Sequence, residues 1–245
     1  MEEWRPSVNS LTFLLDGFVK ALGLILARDP YVWSATIVSL KVSGSAVLLA
    51  SLTAIPVALA ISFWEFRGKG LLVTAINTAM GLPPVAVGLA VFLFLVPAGP
   101  LGILNLIFTP AAMVVAQYIL VTPIITGVGL AAIGAVSPTV RDTAYTLGGT
   151  RKDVALVVVK EARHGIATAI LAGFGRAIAE VGAILIVGGN IVYADGISYT
   201  RTLTAAITVE TSKGDISTSI ALGIIVLALA FAANLLASII RRRTA

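Results

Sequence analysis

Apolar residues fill long blocks of this chain, and polar residues collect in the stretches between them. The blocks predict five membrane-spanning helices, over residues 33–64, 71–96, 111–136, 165–189 and 217–240. Each block supplies the roughly 20 predominantly apolar residues that a helix needs to cross a bilayer. Trp33 and Trp64 stand at the two ends of the first span, where indole rings anchor at the interface. Pro56 is placed to kink that span. Pro83 and Pro84 break the second and free backbone carbonyls, which membranes tolerate where a neighbour or a water-filled cavity satisfies them. A packing kink and a bend lining a pathway are the two readings of that break. Residues 9–28 behave differently. Leu11, Leu14, Leu15, Phe18, Leu22 and Ile25 recur at helical spacing, while Asp16 and Lys20 lie on one flank, four residues apart. A charged pair inside so short an apolar stretch is costly at the bilayer centre. The segment is therefore read as an amphipathic helix lying in the interface, with a sixth span as the alternative.

The long polar interruption between spans, residues 137–164, reads as helix, glycine corner, helix. Ser137-Pro138 is a helix start, a hydroxyl able to accept from a free N–H followed by a ring with no N–H to lose. Thr139 to Leu147 is helix-compatible, and Gly148-Gly149 stops it because glycine reaches left-handed angles without a Cβ clash. Thr150 with Asp153 three residues on fits a capping-box restart. A bare connector needs only a few residues, so a capped loop of this length reads as a docking surface rather than a solvated link.

Charge sets the orientation. Of the 245 residues, 58% are hydrophobic and only 12% charged, against about a quarter charged in soluble domains. The net charge of +5 comes from basic residues at span ends, including Arg241 to Arg243, so it is no nucleic-acid-binding stripe. With the 137–164 loop inside, Arg67, Lys69, Arg141, Arg151, Lys152, Lys160, Arg163 and the three terminal arginines are cytoplasmic, whereas the outer loops between spans carry only Arg201 and Lys213. Five spans put the N-terminus outside, where Glu2, Glu3, Asp16 and Asp29 outnumber Arg5, Lys20 and Arg28. No cysteine occurs, and no Gly-x-x-x-x-Gly-Lys-Ser/Thr phosphate loop is present. The carboxylates are scattered singly, without an acid/base pair or a metal-ligand cluster, and His164 stands alone. The chain is read as a single membrane domain that is not an enzyme, with no catalytic residues, no metal and no cofactor of its own.

Two places inside the membrane blocks carry chemistry. Arg176 lies near the middle of the fourth span, with Glu180 one helical turn on. An unpaired guanidinium there is very unfavourable, so the pair is either an internal brace or the lining of an anion path, since a guanidinium offers planar donors to an oxyanion. Gly188, Gly189 and Asn190, at the outer end of that span, read as a helix stop or as an outer gate offering backbone N–H groups. Gly173, Gly175, Ala179, Gly182 and Ala183 form a small-residue face that lets a neighbouring helix approach.

Asp142-Thr143-Ala144, Gly148 and Val158 stand at the spacing of the Glu-Ala-Ala…Gly loop motif of ABC importer permeases, which this stretch resembles. The acid is shortened, one Ala is Thr, and the closing Leu-Pro is Lys160-Glu161. Gly81-Leu82-Pro83-Pro84, Gly99-Pro100-Leu101-Gly102, the run from Gly173 to Gly182 and Val187-Gly188-Gly189-Asn190 are similar to permeases of molybdate, tungstate and sulfate importers. Glu210-Thr211-Ser212-Lys213-Gly214-Asp215 resembles the tungstate branch. The resemblance covers about residues 33 to 240. It implies an all-α type I importer permease in the plasma or inner membrane, a homodimer working by alternating access. It also implies two separate ATPase subunits binding ATP and Mg, and an extracytoplasmic substrate-binding protein. Asp142, Thr143, Ala144, Leu147, Gly148, Arg151 and Val158 become the ATPase-coupling loop. The substrate implied is tungstate, with molybdate or sulfate as alternatives. A secondary anion transporter, which should display inverted repeats or several intramembrane acids, and a membrane-embedded enzyme are the readings from other classes.

Overall fold

The structure, a computed structural model, describes residues 10–242; Glu2, Glu3, Arg5 and Arg243 of the charge argument lie outside the described residues. The described helices are α1 (Ser10–Leu26), α2 (Pro30–Phe63), α3 (Lys69–Ala79), α4 (Pro84–Leu95), α5 (Pro110–Gly134), α6 (Pro138–Thr146), α7 (Arg151–Ile178), α8 (Gly182–Gly188), α9 (Leu203–Lys213) and α10 (Ile216–Arg242). Three of them, α2, α5 and α10, are each long and apolar enough to cross a membrane. Two bent pairs reach that length only together, α3 with α4 at 99° and α7 with α8 at 62°, so the bundle offers up to five spans among the described residues.

The packing follows α2 from end to end. Near its start Val42 meets Met113, Leu120 and Ile184; in its middle Val47, Ala50 and Ala54 meet Val121, Ile125, Ala169 and Ala177; at its end Ala58 meets Ile133, Val154, Val158 and Ile166. Hence α5 runs parallel to α2, and α7 runs antiparallel and is continued by α8. Lipid tails are as apolar as leucine, so these helices are held by close backbone approach rather than by a hydrophobic drive. Ala46, Ala50, Ala54 and Ala58, one turn apart, are fully buried, while Leu48, Leu49 and Leu52 remain exposed. In α7, a Cβ on Gly165 would stand 2.5 Å from that of Ala132, and one on Gly173 would stand 2.7 Å from Ile125 Cγ1. Gly175 meets nothing, so the predicted small-residue face divides among its neighbours rather than serving one helix.

Three elements differ from the sequence pattern. The second helix of the polar interruption is no short piece; it is the beginning of the 28-residue α7, which enters the fourth span without a break. The physical reason is that no proline falls between Arg151 and Ile178 and none of the glycines there, Gly165 included, takes a positive φ. The outer stretch 191–214 folds into a cap, in which Leu203 and Ala206 of α9 pack with Val32, Ala35 and Leu222. In α1, Gly17 and Ala21 are buried and Gly17 rests on Ile216 and Ile220, while Leu15, Phe18, Val19 and Leu22 are exposed.

Candidate functional site

Along α7 and α8 stand three polar assemblies, one at each end of the bundle and one between. At the α6 end, Ser137 occupies the N-cap position of α6 but its hydroxyl makes no cap bond, and Pro138 opens the helix. The helix closes when the N–H groups of Leu147, Gly148 and Gly149 donate back to Thr143, Tyr145 and Ala144, with Gly148 at φ +85°. Thr150 and Asp153 then form a reciprocal capping box, the carboxylate accepting from Thr150 N–H (2.8 Å) and from its hydroxyl (2.6 Å). Those two donors hold the Asp153 carboxyl, beyond the end of the span, below its ordinary value. Arg141 ties the corner to the bundle, donating to Ser62 Oγ (3.2 Å) and Ile133 O (3.0 Å) with its guanidinium 5.1 Å from the Phe63 ring centroid. Asp142, Thr143, Leu147, Gly148 and Arg151 are exposed, Ala144 is half-buried, and Val158 is buried beneath α6. Leu147, 83% exposed, lies on the rim of a groove of about 470 Å³ lined also by Val140, Ala144 and Val157.

The middle assembly surrounds the α7–α8 break. Arg176 Nη1 donates to Glu180 Oε2 at 2.6 Å; the arginine side chain is 34% exposed and the glutamate 4%. Glu180 does more than balance charge. Its Oε1 accepts from Ala183 N–H (3.1 Å), which caps the first turn of α8, and its backbone carbonyl accepts from Thr204 Oγ1 (2.8 Å). Gln117 of α5 donates Nε2–H to Ala177 O (2.9 Å) on the preceding turn. The proline break and the charged pair, separate in sequence, come together here. Cβ atoms added to Gly182 and Gly88 would stand 2.6 Å from Val85 Cγ2 and from Ala183 Cα, so α4 and α8 touch at backbone distance.

At the far end, Gly189 stops α8 at φ +69° with its N–H spent on Leu185 O, and Asn190 follows at φ +54°. Asn190 accepts from Arg201 through both its side chain (2.9 Å) and its carbonyl (3.3 Å). Arg201 also donates to Tyr31 Oη (3.1 Å), and Tyr31 donates to Glu210 Oε1 (2.8 Å), which Lys213 reaches as well (2.9 Å). Gly188, Gly189 and Asn190 thus form a corner that seats an arginine. Sequence reading missed Tyr31, Arg201 and Glu210 as a unit, because Tyr31 stands 170 positions from Arg201 and 179 from Glu210.

Residues 46–245 match the model of the family described as binding-protein-dependent transport system inner membrane component. The chain belongs to this family. The permease is 52% identical over 214 residues to a probable anion ABC transporter permease protein of Haloferax volcanii, covering 87% of this chain and 92% of that one. It is 34% identical to the tungstate uptake system permease protein TupB of Peptoclostridium acidaminophilum, over 91% of this chain and 96% of that protein. In fold it is similar to a chain of a bacterial alginate ABC transporter solved in complex with an alginate pentasaccharide-bound periplasmic protein, at TM-score 0.71 and 19% identity, over 96% of this chain and 90% of that one. The permease is accordingly a multi-pass inner-membrane component of an ABC importer, with the all-helical importer fold that its motifs imply.

Proposed function

We propose that this permease imports a tetrahedral oxyanion, tungstate first, by alternating access in a homodimer. The observation that carries the reading is its similarity to a tungstate-uptake permease across nearly its whole length. The Haloferax relative, named for an anion, agrees in substrate class. Two ATPase subunits, each binding ATP and Mg, dock on residues 137–164. Asp142, Thr143, Leu147, Gly148 and Arg151 form the contact, and Ala144 and Val158 set its floor. An extracytoplasmic binding protein delivers the anion to the cap built from residues 190–214. Arg176 and Glu180 belong to the translocation path, while Gly188, Gly189 and Asn190 form its outer corner. Closure of the ATPase subunits moves the α6–α7 corner, and the bundle turns that movement into exchange of access.

The test is uptake of labelled tungstate into cells carrying the complete system, with unlabelled tungstate, molybdate or sulfate as competitors. Tungstate should compete at the lowest concentration. Equal competition by sulfate would replace tungstate with a sulfate permease, and ATP-independent uptake would replace the importer with a secondary transporter.

A further inference from the structure

Arg176 and Glu180 are not equivalent partners. Glu180 is spent inside the protein: one oxygen caps α8 through Ala183, the other holds Arg176, and its carbonyl holds Thr204. At 4% exposure it has no face left for a ligand. Arg176 is the opposite case. Among the described residues only its Nη1 is hydrogen-bonded, and 34% of the side chain is open. A guanidinium is a planar fork of five donors, so an unused edge remains.

The position of that edge limits what can face it. Ala177, the next residue, packs in the middle cluster with Ala50, Ala54 and Ile125, so Arg176 stands at mid-depth in the bundle. An open guanidinium edge against hydrocarbon at that depth is strongly unfavourable. Water, an anion or the second copy of the homodimer is therefore its neighbour in a working permease.

We infer that the free edge of Arg176 is the mid-membrane contact for the transported dianion, and that Glu180 is a built-in counter-anion keeping this contact shallow. The inference rests on the oxyanion-permease reading above. A bare arginine at low dielectric would bind a doubly charged oxyanion deeply and release it slowly, whereas passage requires binding strong enough to enter and weak enough to leave. Glu180 neutralises part of the charge and, fixed through Ala183 and Thr204, cannot follow the ion. The anion takes two N–H donors from the open edge, then leaves Arg176 still paired. Glu180 is thus a positioning residue and Arg176 the contacting one.

Two measurements on the purified permease with its ATPase subunits decide this. The first is equilibrium dialysis with labelled tungstate in the absence of binding protein; the second is ATP-driven uptake into proteoliposomes with saturating binding protein. Glu180→Gln keeps an acceptor for Ala183 N–H but loses the charge. It should bind tungstate at least about threefold more tightly and transport it more slowly. Arg176→Gln should weaken binding about tenfold or more, and Arg176→Lys should fall between, keeping charge without the planar fork. A purely internal brace predicts instead that Glu180→Gln leaves binding unchanged or weakened; that result overturns the inference. Should the wild-type complex transport tungstate while all three variants bind it as the wild type does, the inference falls and the oxyanion reading stands. Should the wild-type complex neither bind nor transport tungstate, molybdate or sulfate, both fall.

Discussion

Gln117 on α5 donates its amide N–H to the carbonyl of Ala177 at 2.9 Å, next to the break between α7 and α8. Its own Oε1 is buried without a hydrogen-bond partner among the described residues. Such a bond is worth about 0.6 kcal/mol on average between membrane helices, and the unpartnered oxygen offsets part of that. Gln117→Leu, which fills the space and removes the orphan atom, should therefore change stability by less than about 1 kcal/mol. Gln117→Ala leaves a cavity and should cost about 2 kcal/mol or more. Thermal unfolding in detergent separates the two; equal losses would mean that the hydrogen bond dominates after all.

Gly165 and Gly175 lie in the same helix and should respond oppositely to alanine. The Gly165 methyl would meet Ala132 at 2.5 Å, so Gly165→Ala should cost about 1–3 kcal/mol by forcing α7 from α5. At Gly175 nothing lies within 4 Å, and Gly175→Ala should be neutral or stabilise by about 0.5–1 kcal/mol through helix propensity. The same unfolding assay tests both, and similar shifts would contradict the packing described for α7.

Gly148 holds φ +85° with open space around it, so a side chain there meets strain rather than a clash. The left-handed conformation costs an L-residue about 1–2 kcal/mol, too little to prevent membrane insertion. Gly148→Asp should yield an inserted permease whose transport is uncoupled from ATP hydrolysis, and Leu147→Glu should lose co-purification of the ATPase. A Leu147→Glu protein that retains its ATPase through detergent extraction would remove the groove beside α6 from the contact.

Glu210 is the hub of the far-end network, with Arg201 at 3.7 Å, Lys213 at 2.9 Å and only 7% of its own side chain exposed. Truncating one partner of a buried pair leaves an uncompensated charge, so Glu210→Ala should cost about 3–5 kcal/mol. Tyr31→Phe removes one hydroxyl and should cost about 1 kcal/mol. The double variant Arg201→Ala with Glu210→Ala should lose less than the sum of the singles. Strict additivity in detergent unfolding would show that the two residues act independently.

What could be read from sequence was local. The Thr150–Asp153 capping box and the Arg176–Glu180 pair each span about one turn, and both are present in the structure. Pro83 and Pro84 marked where the second span breaks, but neither the 99° angle of the break nor the approach of Gly88 to Ala183 of α8 was legible there. The close approach of Gly165 to Ala132 was not legible either, because Ala132 belongs to another helix. Tyr31 and Arg201 are 170 positions apart, and nothing in either neighbourhood announces the other. Long-range closeness of this kind comes from packing, which periodicity does not encode.

That α7 is unbroken from the glycine corner to the charged pair makes it a lever. At 1.5 Å per residue, about 38 Å separates Arg151 from Arg176 along the helix axis. A tilt of roughly 5° about its Arg151 end would sweep the guanidinium sideways by about 3 Å, the length of one hydrogen bond. A rotation that small at the corner suffices to bring the arginine within reach of an ion or to withdraw it. Two short helices joined at Gly165 would have lost the motion in the joint.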